Sequence, residues 1–198
     1  MSAIFPIVEG HGDVGAIPVL IRRILHTHLD VFHCDVLKPY RVPKSKIMQF
    51  GDDLRTAVTF GARKIEEIGG RGGVLIVADA DDDCPANSHE EFLAFRQAHQ
   101  FNVNVSFVLA TKEYEAWMIA CGEQMREHRE IRDDAASHPQ PESVSGAKGY
   151  FERNILLPER TYSETVDQAK FTNLIEIDVT SSSCRSFRKL ISEIRLII

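Results

Sequence analysis

Ile4-Phe5-Pro6-Ile7-Val8-Glu9-Gly10 and Val74-Leu75-Ile76-Val77-Ala78-Asp79-Ala80-Asp81-Asp82-Asp83 are apolar runs that each end in acid. A short apolar run bounded by Gly reads as a buried strand. In an open α/β sheet the ligand site lies beyond the carboxyl ends of the strands. Two strands ending this way aim Glu9, Asp79 and Asp81 at one place. Carboxylates gathered there repel one another unless a cation sits between them. Hard oxygen ligands suit magnesium or manganese. The expectation is a divalent-metal site on an α/β sheet.

The sequence around these runs alternates strand and helix. After a strand at 3–9, residues 14–29 carry Ile17, Leu20, Ile21, Ile24, Leu25 and His28 at helical spacing, with Asp13 placed to cap them. Residues 32–42 read as a second strand ended by Pro43. Residues 52–68 set Leu54, Ala57, Val58, Ala62, Ile65 and Ile68 on one helical face, stopped by Gly69-Gly70. A strand at 73–79, a helix at 88–99 and a strand at 104–110 follow. This order predicts a mainly parallel four-stranded sheet with helices on both faces. Beyond it, 113–131 reads as helix and 132–147 as loop. Helical pieces are expected near 147–157, 163–171 and 184–197, the last capped by Ser181-Ser182-Ser183. The chain thus reads as one unit over 1–198, an α/β core at 1–112 with a helical annex at 113–198.

Several residues compete for a role at the strand ends. Glu9 is followed by Gly10 and Gly12, which permit close approach of a ligand to the backbone. Asp13 serves either as a metal ligand or as a helix cap. If the segment after Ala78 stays extended, Asp79, Asp81 and Asp83 point together and Asp82 points away. Glu113 or Glu115 can reach the same rim after the fourth strand, although acids also favour a helix N-terminus. Trp117 reads as core. Gly10-His11-Gly12-Asp13-Val14-Gly15 formally matches the dinucleotide fingerprint, with Asp35 about 20 residues on. That reading leaves the Asp79 cluster without a task and puts Asp35 mid-strand.

The net charge of −6 argues against bulk nucleic-acid affinity, yet the charge is uneven. Lys38, Arg41, Lys44 and Lys46 form one basic stretch, and Arg185, Arg188, Lys189 and Arg195 another. Such stretches either face phosphates or are solvated surface. Cys34, Cys84, Cys121 and Cys184 are scattered with no Cys-x-x-Cys pair, which predicts reduced thiols in a cytoplasmic protein without structural zinc. No apolar run approaches the roughly 20 residues that span a bilayer, and no secretory signal precedes the first strand, so no membrane partner is expected.

An acid after strand one and an Asp-x-Asp after strand three resemble the Toprim domain of topoisomerases, primases, recombination proteins and overcoming-lysogenization-defect nucleases. Val8-Glu9-Gly10, Asp79-Ala80-Asp81, Glu115-Ala116-Trp117, Tyr162-Ser163-Glu164-Thr165-Val166-Asp167 and Ser186-Phe187-Arg188-Lys189-Leu190, in that order, resemble more closely a Toprim-like family designated domain of unknown function 4276. The resemblance implies a Toprim-like, Rossmann-like fold and magnesium- or manganese-dependent phosphodiester chemistry. It implies that Glu9 is a general acid/base or metal ligand, that Asp79 and Asp81 are the metal-binding pair, and that Asp13 is a further acid of the same loop. Asp83 completes the expected ligand set, and Arg185, Arg188 and Lys189 are the expected nucleic-acid contacts. Relatives often act beside a separate ATPase in bacterial defence against phage. The expected function is a metal-dependent nuclease with Glu9, Asp79 and Asp81 catalytic. The alternatives are a non-catalytic regulatory or docking module and a dinucleotide-binding oxidoreductase.

Overall fold

The computed structural model describes residues 2–198. Strand β1 (Ser2–Val8) leads into helix α1 (Asp13–Arg23), which continues as one π-helical turn over Ile24–His28. Two short strands, β2 (Cys34–Val36) and β3 (Tyr40–Arg41), precede α2 (Lys44–Ile47) and α3 (Asp52–Glu67). Then come β4 (Arg71–Asp79), α4 (Pro85–His99) and β5 (Asn104–Ala110). The remainder is helical: α5 (Glu115–Ile119), α6 (Ala147–Asn154), α7 (Glu164–Thr172), α8 (Ile177–Ser183) and α9 (Arg185–Ile197).

The sheet runs β2-β1-β4-β5 and every pairing is parallel. The second strand expected at 32–42 is split. Cys34–Val36 pairs with Ser2–Ile4, and Tyr40–Arg41 pairs with Ile7–Val8 further along the same edge of β1. Lys38-Pro39 falls in the gap, where proline has no N–H to give a ladder.

Side-chain alternation divides each central strand between two cores. Ile4, Val8, Leu75, Val77, Val108 and Ala110 pack with α1, α9 and the later helices. Phe5, Ile7, Val74, Ile76, Phe107 and Leu109 pack with α3 and α4. Burial on both faces explains why these strands are continuous apolar runs. Gly61 of α3 lets that helix close onto β1, since a Cβ there would stand 2.4 Å from the Phe5 ring.

Two helical expectations are corrected. Residues 113–131 form only the short α5 and a 3-10 turn at Gly122–Met125. Gly122 marks the break: a Cβ there would meet Ile155 at 2.5 Å and the Ala136 carbonyl at 3.0 Å, so the chain turns to pack on both. Ser181, Ser182 and Ser183 end α8 rather than capping α9, their hydroxyls returning to carbonyls of Asp178, Val179 and Thr180. The start of α9 is capped from a distance. The Glu142 carboxylate accepts the N–H groups of Arg185 at 2.8 Å and Ser186 at 2.7 Å.

Candidate metal centre and its surroundings

β1 and β4 lie side by side with Val8 opposite Val77, so the residues that follow them emerge together at the carboxyl end of the sheet. The Glu9 carboxylate turns across this gap and accepts the N–H of Asp79 at 3.3 Å. Asp13, the first residue of α1, does not cap that helix. Its carboxylate accepts the Gly10 N–H at 2.9 Å and the Gln168 side-chain amide at 3.0 Å. Glu9, Asp13 and Asp79 are all half-buried.

Burial raises the Glu9 carboxyl from 4.5 to about 7, against the Asp79 N–H that lowers it, and Asp13 adds to the rise. Burial likewise pushes Asp79 well above its ordinary range, helped by the charges of Glu9, Asp13, Glu115 and Asp81. Asp13 is raised by burial too. The hydrogen bonds that Glu9 and Asp13 accept come from neutral groups, and of the nearby cations only the charge of Lys44 lowers the Glu9 carboxyl.

Asp81 and Asp83 are placed differently. β4 ends at Asp79, and Asp81 takes a left-handed backbone at φ 48°. Its N–H bonds the Lys112 carbonyl and the Asp83 N–H closes a turn on Ala80. The segment is therefore a turn and not the expected extended run, although Asp81 and Asp83 still come together and Asp82 points elsewhere. Lys44 at the start of α2 takes both later acids, at 2.6 Å from Asp81 and 3.2 Å from Asp83. Asp82 pairs with Lys112 at 3.1 Å. Among the described residues no three His, Cys, Asp or Glu side chains close into a ready cation cage. The donor chemistry of Glu9, Asp13 and Asp79 nonetheless suits a hard divalent cation. They are oxygen ligands only, mutually repelling and partly desolvated.

Glu115 is the buried acid of this region, 3% exposed, and accepts the Tyr162 hydroxyl at 2.8 Å. Burial raises its carboxyl to about 7. Glu113 instead accepts the Lys148 N–H at 2.9 Å. Trp117 is core, fully buried, with its ring N–H on the Ser186 hydroxyl at 2.8 Å. Gln168 carries no sequence signal for the site, whereas Lys44 belongs to the basic stretch already named. Gln168 lies 155 residues from its partner Asp13, and nothing local signals that pairing.

The basic stretches divide. Arg41 reaches the Glu9 carbonyl at 3.4 Å, so with Lys44 it stands at the acidic rim. Helix α9 runs against β5, its Ser186 hydroxyl accepting the Thr111 N–H just past the end of that strand. Arg185 is exposed there. Arg188 bonds the carbonyls of Ser181 and Ser182 at 2.6 and 3.2 Å, and Lys189 pairs with Glu193 at 2.9 Å.

The glycine loop is filled by the chain itself. A Cβ on Gly12 would lie 2.0 Å from the Gln168 amide oxygen and 2.7 Å from the Glu164 carbonyl. The close approach that Gly12 permits is thus used by α7, which weighs against the dinucleotide reading. Cys34, Cys84, Cys121 and Cys184 are free thiols. Among the described residues no helix is long and apolar enough to cross a membrane.

The chain belongs to the family described as Domain of unknown function (DUF4276), whose family model matches residues 8–195. No curated protein matches it. Among solved structures it is similar to the C-terminal region of the Burkholderia pseudomallei OLD protein, at 16% identity over 98% of each chain, with a TM-score of 0.37. So distant a likeness defines no shared site.

Proposed function

We propose that the chain is a metal-dependent phosphodiester-cleaving enzyme, a nuclease whose centre is Glu9, Asp13 and Asp79, joined by Asp81. The observation that carries this reading is the placement of Glu9 on the Asp79 N–H, with Asp13 beside them and neutral donors on the Glu9 and Asp13 carboxylates. Magnesium or manganese held by these carboxylates would supply Lewis-acid polarisation of a phosphate and activation of water. The chain's own groups do the rest. Glu9, raised to about 7, is poised to take or return a proton near neutral pH. The Asp79 N–H fixes its orientation. Arg41 and Lys44 put positive charge at a rim that would otherwise repel phosphates. Arg185 extends that charge at the end of β5, with Arg188 and Lys189 behind it on α9 as further nucleic-acid contacts.

Asp81 and Asp83 join the ligand set if they leave Lys44, whose ammonium occupies the position of a competing cation. That same ion pairing supports a second reading. A rim already neutralised by lysine is what a non-catalytic Toprim-like docking module needs. On either reading the chain works in the cytoplasm beside a separate ATPase in a defence-type system, a setting that rests on the family resemblance.

The test is cleavage of labelled DNA and RNA with magnesium, manganese or EDTA, with and without candidate ATPase partners. The nuclease reading expects metal-dependent cleavage that Glu9→Gln abolishes. Cleavage unaffected by Glu9→Gln, or none under any condition, moves the docking module ahead.

A further inference from the structure

The split edge of the sheet opens a second site. Between β3 and α3 lies a cavity of about 440 Å³, within the roughly 300–1,000 Å³ of small-ligand pockets. Its walls include Phe5, Tyr40 and Phe60, with Lys38, Lys64 and Glu67 around them. The Tyr40 and Phe60 rings are 5.6 Å apart, and Phe5 meets Phe60 edge-on at 5.8 Å. Tyr40 and Phe60 remain 44% and 42% exposed, so two aromatic faces are held half in water. Glu67 is taken by Lys64 at 2.8 Å, which leaves the charge of Lys38 in excess at the cavity.

The cavity lies on the same edge of β1 as the acidic rim, a short step before it. Tyr40 pairs with Ile7 on β1, two residues before Glu9, which is about 7 Å at the usual strand rise. Arg41, the next residue, bonds the Glu9 carbonyl. Along β3 an aromatic at the cavity is thus followed by an arginine at the Glu9 end of the strand. Aromatic faces interleaved with cations are how single-stranded nucleic acid is held, because every base offers a π-face and every nucleotide a phosphate. In a duplex that face is covered by its stacked neighbours.

Building on the nuclease reading above, we propose that this cavity takes an unpaired base of a single-stranded nucleic acid. The strand's phosphates pass Lys38 and Arg41 toward the Glu9–Asp79 rim. The preferred substrate is then a single strand or an unpaired end.

The test uses fluorescence anisotropy in EDTA with a labelled single-stranded DNA, the same sequence as RNA, and the DNA duplex. The native chain should bind one or both single strands more tightly than the duplex. Tyr40→Ala with Phe60→Ala should weaken single-strand binding at least about tenfold, the stacking contribution of one base. Its salt dependence should stay unchanged, whereas Lys38→Ala should lower the salt slope by about one phosphate contact. If the alanine pair does not fold, Tyr40→Leu with Phe60→Leu keeps apolar volume without the π-faces and should show the same loss. Equal binding by the leucine pair and the native chain overturns the inference. So does equal affinity for single strand and duplex, or a concentration-dependent dimer that Phe60→Ala disrupts while leaving nucleic-acid binding intact. The two readings fail separately. Cleavage lost with Glu9→Gln but intact in the aromatic variant overturns only the pocket. Aromatic-dependent binding without cleavage under any metal overturns only the nuclease.

Discussion

Glu9 and Asp79, seventy residues apart, are joined by a hydrogen bond from the Asp79 N–H to the Glu9 carboxylate at 3.3 Å. The bond ties the ends of two adjacent parallel strands and sets one carboxylate beside another. It orients Glu9 without neutralising it. The expected outcome of Glu9→Gln follows. Glutamine retains an oxygen for the Asp79 N–H but drops the charge, so the fold should persist and cleavage should stop. At pH 8 in EDTA the variant should melt about 2–4 °C above the native chain, the shift of roughly 1 kcal/mol in a chain of this size. Calorimetry reads it, and a variant that melts lower would mean that Glu9 is not under repulsion.

The pH dependence has a definite sign. Glu9 and Glu115 rise from 4.5 to about 7 on folding, chiefly through burial. Between those values the folded chain keeps protons that the unfolded chain has released. The stability they contribute is full below about 4.5 and lost as pH rises through about 7. Native melting temperature in EDTA, compared with Glu9→Gln and Glu115→Gln, should match the variants most closely at pH 5 and fall relative to them toward pH 8. A native advantage that grows with pH contradicts this assignment.

Gly12 separates the filled loop from an open cofactor site. Gly12→Ala drives a methyl into Gln168 and the Glu164 backbone, and overpacking of this kind costs roughly 1–3 kcal/mol. Chemical denaturation should show that loss in the bare protein, and NADH should not shift the native melting temperature. A stable Gly12→Ala variant, or stabilisation by NADH, would return the dinucleotide reading.

Lys44 should compete with a divalent ion. Its ammonium holds Asp81 and Asp83, both about half exposed, at a pairing worth about 0–1 kcal/mol. Lys44→Met should leave the fold nearly unchanged and tighten manganese binding several-fold, while weakening nucleic-acid binding. Manganese affinity that is unchanged or lower would show that Asp81 and Asp83 take no part in the metal site.

Much of this was legible in the sequence, for identifiable reasons. β1 and β4 sit in the middle of the sheet, and the edge strand β5 is buried on both faces, so their apolar runs are unambiguous; the acids of β1 and β4 fall at their ends because Gly10 and the Asp79 cluster punctuate them. The opposite edge, β2 and β3, was less so: Lys38-Pro39 divides it, and its residues are partly buried or exposed. The run Asp79–Asp83 invites an extended reading, yet Asp81 adopts a left-handed turn because the Lys112 carbonyl and the Lys44 ammonium draw it away. Gln168 on Asp13 and Glu142 on the start of α9 are contacts between distant segments, which no local pattern encodes.

The most direct measurement is an isothermal titration of manganese into the native chain, Asp79→Ala and Glu9→Gln at pH 7.5. The account predicts saturable binding by the native chain that disappears in Asp79→Ala and weakens at least tenfold in Glu9→Gln. Binding that survives Asp79→Ala unchanged, or no binding by the native chain, would contradict it.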